Sequence, residues 1–176
     1  APYLYKGVRV VPVTTIEAKG LAALSSSFFA TLKALKARPD VIHYHAEGPC
    51  VPLRLAHWAG IRTVATIHGL DWQRAKWGRL ASLYLKLGER TAATCADEVI
   101  VLSRGVQQYF KDTYGRETRF IPNGIAPVES VSPDVIADKW SLEKDSYILF
   151  LGRIVPEKGV HYLIEAFKRL DTDKKL

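Results

Sequence analysis

The stretch Phe150-Leu151-Gly152-Arg153-Ile154-Val155-Pro156-Glu157-Lys158-Gly159 decides how the rest of the chain is read. An apolar run, residues 147–151, ends in a glycine. An arginine, a proline, a lysine and a second glycine follow. Beyond them Val160, Leu163, Ile164, Phe167 and Leu170 recur at helical spacing. Strand, loop and helix in that order put two fixed cations at a strand's carboxyl end, where open α/β sheets bind ligands. The unpaired N–H groups and dipole of a helix N-terminus favour an anion there. Arg153 and Lys158 would add charge-assisted contacts. These residues fit a phosphate-type site. They fit a solvated surface turn equally well, because Pro-Glu-Lys-Gly is ordinary turn chemistry.

The same alternation runs through the residues before this motif. Val8-Arg9-Val10-Val11-Pro12-Val13 is β-branched and reads as a strand, with Pro12 placing it near an edge. A helix is expected over residues 18–37, where Leu21, Leu24, Phe28, Leu32 and Leu35 form one apolar face. Val41-Ile42-His43-Tyr44-His45 is the next strand, and a short helix over residues 50–59 ends at Gly60. Thr63-Val64-Ala65-Thr66-Ile67 follows, closed by His68-Gly69. The segment 77–94 reads as a helix with Trp77, Leu80, Tyr84 and Leu87 on one side and Arg79, Lys86 and Arg90 on another. Glu98-Val99-Ile100-Val101-Leu102 is a fourth strand. Ser103 is a good N-cap for a helix over 104–113. Thr118-Arg119-Phe120-Ile121-Pro122 is a fifth strand, ending at Asn123-Gly124.

This βα repetition predicts an α/β protein: a Rossmann-like, mostly parallel sheet with helices on both faces. Prolines, serines and alternating charges over 125–145 read as a linker, with Ser132-Pro133 capping one short helix. The expected organisation is therefore a first domain over 1–124, a linker over 125–145, and a second domain beginning at 146 and holding one strand and one helix.

Nearly half of the 176 residues are apolar and a quarter are charged, which is a globular balance. The net charge of +7 suits an anionic partner without choosing one. Cys50 and Cys95 lie in unrelated contexts, so a reducing, cytoplasmic compartment is expected. No apolar run is long enough to span a bilayer. The helix at 77–94 reads either as a solvated basic face or as one that lies on a membrane surface.

Other constellations narrow the chemistry. His43 and His45 alternate on a strand and share a face. With Glu47, Cys50 and His57 they echo a zinc deaminase signature. Only one residue separates Glu47 from Pro49, however, and no second cysteine follows. We expect no metal, and read His45 and Glu47 as bordering a cleft. His68 closes a buried-looking strand and can serve as hydrogen-bond donor, acid or base. Asn123-Gly124 reads as a tight turn tolerant of positive φ, where backbone could approach a ligand. There is no GxGxxG, no GxxxxGK[ST] and no GxSxG, which speaks against a dehydrogenase, a P-loop ATPase and an α/β-hydrolase.

Taken together, the residues carry a resemblance. Gly152-Arg153-Ile154-Val155-Pro156-Glu157-Lys158-Gly159 and the following Val160-His161-Tyr162-Leu163-Ile164-Glu165-Ala166-Phe167 resemble the start of the nucleotide-sugar domain of family 4 (group 1) retaining glycosyltransferases. Ile121-Pro122-Asn123-Gly124-Ile125 is similar to that family's segment before its domain linker. The strands at 40–45, 63–69 and 97–103 are similar to its N-terminal domain. Ile67 to Trp77, with Asp71-Trp72-Gln73-Arg74, looks like a bacterial polysaccharide-assembly branch.

The resemblance implies the GT-B fold, in which two Rossmann-like domains face a cleft. It implies that Arg153 and Lys158 bind the donor diphosphate, that His68 is catalytic near the transferred sugar, and that Asn123, Gly124, His45 and Glu47 line the cleft. The partners implied are a nucleotide-diphosphate sugar donor and a saccharide or lipid-linked acceptor. Neither a cofactor nor a nucleic acid is expected. The family's first strand and glycine-rich loop are expected upstream of Ala1, and its spaced acidic pair beyond Leu176. The resemblance thus implies an internal fragment, inactive by itself. A different class, a non-catalytic basic module that binds a nucleotide or a partner, remains as the alternative.

Overall fold

The computed structural model describes residues 2–18, 20–74, 76–129 and 132–176. The chain divides into two compact units, Ala1–Asn123 and Gly124–Leu176.

The first unit opens with a hairpin. β1 (Tyr3–Tyr5) pairs antiparallel with β2 (Val8–Val10), Tyr5 opposite Val8. Lys6 and Gly7 both have positive φ, 48° and 80°, as a two-residue type I′ turn requires. This corrects the expectation that residues 8–13 form the first strand of the parallel sheet. The Lys6-Gly7 turn closes a local pairing at little entropic cost, and the strand stops at Val10, before Pro12.

The rest of the unit is a parallel α/β layer. In order come α1 (Leu21–Ala37), β3 (Val41–His45), α2 (Leu53–Trp58), β4 (Arg62–Ile67), α3 (Arg79–Cys95), β5 (Glu98–Val101), α4 (Arg104–Tyr114) and β6 (Arg119–Phe120). The strands lie in the order β3-β4-β5-β6, all neighbours parallel. Each parallel step needs a crossover, and a helix supplies it every time. α1 stops at Arg38, which adopts the left-handed conformation and caps the Ala34 carbonyl ahead of Pro39. Ser103 caps α4 as its sequence predicts, its Oγ accepting from the Val106 N–H at 3.2 Å.

The core lies between the sheet and these helices. Tyr44, Ala65, Ile67, Val99 and Val101 alternate along the strands and meet Leu53, Ala56, Ala92, Ala93 and Phe110. The predicted apolar face of α1 divides: Leu35 packs on this core, whereas Leu21, Phe28 and Leu32 stay largely exposed. At the amino ends of β4 and β5, Asp97 Oδ2 accepts from the Thr63 N–H at 2.7 Å and from its hydroxyl at 3.1 Å. The Thr63 backbone bond in particular holds the Asp97 carboxyl below the usual carboxylate range.

The second unit contains α5 (Asp134–Trp140), a turn of 3-10 helix at Pro156–Lys158 and α6 (Val160–Lys168). The cap position of α5 falls on Pro133, one residue later than the expected Ser132, and the Ser132 hydroxyl bonds the Asp134 carboxylate. The expected strand at 147–151 is corrected. Only a single parallel bridge forms, between Tyr147 and Lys175, with the Ile148 N–H donating to the Lys175 carbonyl at 2.8 Å. A strand needs a neighbour along its length, and among the described residues of this unit only the 175 region offers one. Leu151 is accordingly 91% exposed, and no described residue of the unit is buried.

Candidate active site

Parallel register sets the first feature. His45 is the last residue of β3, and β4 ends one residue before His68, so both imidazoles sit at the carboxyl end of the sheet. His45 Nδ1 and His68 Nε2 are 3.2 Å apart, a hydrogen bond that needs a neutral acceptor ring. His43, two residues back on β3, lies with its ring centroid 4.2 Å from that of His45. Its Nε2 is 2.7 Å from the Thr66 hydroxyl. Burial first, and then the neighbouring His45 and His68, push the His43 pKa below its ordinary value. All three histidines face solvent. The row can donate to a hydroxyl or pass a proton. Among the described residues no group of three or more histidine, cysteine, aspartate or glutamate side chains is arranged to hold a metal.

Glu47 departs from its expected place. It does not line a cleft; it is 0% exposed beneath the loop that follows β3. Gly88 of α3 presses on its backbone, and a Cβ there would lie 1.9 Å from the Glu47 carbonyl oxygen. Neither of its carboxyl oxygens has a hydrogen-bond partner among the described residues. Burial, and after it the Glu89 carboxylate, push its pKa up to about 9, so Glu47 carries its proton at neutral pH.

Glu89, also 0% exposed, is the hub of this region. Its Oε2 accepts from Trp72 Nε1 at 3.0 Å. Its Oε1 accepts from the hydroxyls of Tyr109 at 2.8 Å and Tyr114 at 2.5 Å. Burial first, and then this carboxylate, push both phenols up, which keeps them donors. Trp72 belongs to the 3-10 turn Asp71–Gln73, three residues after Gly69. The buried carboxylate therefore tethers the loop that leaves His68.

The remaining expected site residues lie in or next to the second unit. Arg153 and Lys158 flank the start of its 3-10 turn and are both exposed. Among the described residues neither is in an ion pair. α6 begins directly after, and no side chain caps its N-terminus. Asn123 and Gly124 are exposed, and neither has positive φ, so the tight turn expected there does not form.

The structure thus brings His43, His45 and His68 together and separates Glu47 from solvent. Sequence reading missed Glu89, Trp72, Tyr109 and Tyr114. A signal was present. Glu89 falls four residues after Leu85 and three before Ala92, on the buried stripe of α3, where a charge demands partners.

Comparison with known proteins defines the class. The Glycosyltransferase Family 4 pattern matches residues 2–129, and the Glycosyl transferases group 1 pattern matches residues 134–176. The chain is 28% identical over 139 residues to an uncharacterized glycosyltransferase of Methanocaldococcus jannaschii, covering 78% of this chain and 36% of that protein. It is 30% identical over 135 residues to the uncharacterized glycosyltransferase YqgM of Bacillus subtilis, covering 74% of this chain and 35% of the relative. Together with the parallel α/β layer, these matches give the family of the chain. The chain belongs to Glycosyltransferase Family 4. It spans about a third of the length of the curated relatives it matches.

Proposed function

We propose that this chain is part of an enzyme that moves a sugar from a nucleoside diphosphate to a hydroxyl of a saccharide or lipid-linked acceptor, with retention at the anomeric carbon. One observation supports this most: two exposed cations, Arg153 and Lys158, without ion partners among the described residues, stand just before the uncapped N-terminus of α6. In the step, the acceptor oxygen forms a bond to the anomeric carbon. The bond from that carbon to the diphosphate oxygen breaks, and its electron pair leaves with the diphosphate. The hydroxyl proton goes to the departing phosphate oxygen, on the face from which it left.

Negative charge grows on the diphosphate, and Arg153, Lys158 and the helix terminus neutralise it there. That assignment gives the two side chains the work a bound divalent cation would otherwise do. His68, bonded to His45, is assigned to hydroxyls of the sugar or acceptor. Cytoplasmic placement belongs to the same proposal, with Cys50 and Cys95 both free thiols.

The test uses the full-length protein with UDP-, GDP- and dTDP-sugars and a saccharide acceptor. Nucleoside diphosphate released in step with new glycoside is the expected result. Arg153→Ala is expected to lower kcat by about 10²–10³. Nucleotide binding without transfer or hydrolysis would instead indicate a non-catalytic module.

A further inference from the structure

α3 has three faces, and only one meets the core. Leu85, Gly88, Glu89 and Ala92 are its buried stripe. A second stripe, Leu80, Leu83 and Leu87, points away and is 84%, 66% and 46% exposed. Trp77 lies in the irregular segment just before the helix, partly exposed, with Lys76 Nζ 4.4 Å from its ring centroid. Arg79, Lys86 and Arg90 run alongside. A solvated helix gains nothing by exposing three leucines in a row. The stripe also merges into an apolar groove of about 580 Å³ between α1, α2 and α3, with which it shares Tyr84 and Leu87.

Charge identifies what covers this face. α1, α2 and α3 together contain one acidic residue, Glu89, and it is fully buried. The same helices carry Lys33, Lys36, Arg54, Arg79, Lys86 and Arg90. A second copy of the chain would bring cation against cation. An anionic bilayer surface matches both properties: the leucines enter the headgroup boundary, while lysine and arginine stems reach along them to lipid phosphates.

We infer that this face of α3 docks the protein on an anionic phospholipid surface. Among the described residues no helix is long and apolar enough to cross a membrane, so attachment at this face is peripheral. The inference goes beyond sugar transfer and does not depend on it.

The test is flotation of the full-length protein with vesicles of phosphatidylcholine, with and without phosphatidylglycerol. Binding to the anionic vesicles alone, weakening as salt is added, is the expected result. Replacing Lys86 and Arg90 by glutamine should each weaken partitioning roughly fivefold. The pair Leu80→Asp and Leu83→Asp should weaken it at least about tenfold. Both leucines are exposed, so an unchanged Tm will show that the fold is kept. Absence of flotation with anionic vesicles overturns the inference. So does flotation that the aspartate pair leaves unchanged, and so does a change in oligomeric state by that pair with vesicle binding intact. Sugar transfer measured on a soluble acceptor is expected to persist in the aspartate pair, and its loss in wild type would count against the proposed activity alone.

Discussion

The Glu47 carbonyl lies so close to Gly88 that a Cβ on Gly88 would sit 1.9 Å from its oxygen and 2.8 Å from its carbon. Two backbones meet there, and neither can move aside as a flexible side chain would. In a helix interior, glycine to alanine ordinarily stabilises by up to ~1 kcal/mol. Here the sign reverses. Gly88→Ala should cost about 2–4 kcal/mol, read as a loss in denaturant midpoint, and a stability equal to wild type would contradict the packing.

Glu47 gives a second effect with an unusual sign. Its folded pKa is raised to about 9, chiefly by burial. Unfolded, it loses its proton near 4.5. The folded state thus binds the extra proton between those values, and stability falls as pH rises across that window. Glu47→Gln has no proton to lose. Its Tm should equal or exceed wild type at pH 8, with a gap that closes toward pH 4.5. A gap that instead widens toward acid would show that Glu47 is ionised in the fold.

His43 works in the opposite direction. Its folded pKa is depressed below 6.5 by burial first and then by His45 and His68. The unfolded chain therefore takes up this proton first as pH falls. The contribution is fully present above 6.5 and is lost as pH falls through the folded value. Between about pH 7 and pH 5, the Tm of His43→Gln should decline less than that of wild type. Parallel declines would remove His43 from the acid response.

The parallel layer was legible because its strands are short β-branched runs closed by glycine, proline or asparagine, and its helices keep a 3.6-residue period. Residues 41–45, 62–67 and 98–101 formed strands on that signal alone. Where pairing decides, composition failed. Residues 8–13 look like a sheet strand, yet the Lys6-Gly7 turn takes them into a hairpin. Residues 147–151 look the same and find one bridge. The histidine row was half visible: His43 and His45 share a face by alternation, but the 3.2 Å contact from His45 to His68 needs the β3–β4 register. Glu47 was misplaced because nothing local reports that α3, far along the chain, will pack its Gly88 against the Glu47 backbone.

The diphosphate assignment meets its most direct test in a titration of nucleoside diphosphate into the full-length protein and its Arg153→Ala and Lys158→Ala variants. Each charged hydrogen bond is worth about 1.5–3 kcal/mol, so each variant should bind roughly 10–100-fold more weakly. A dissociation constant that stays at the wild-type value in both variants would contradict the role of Arg153 and Lys158.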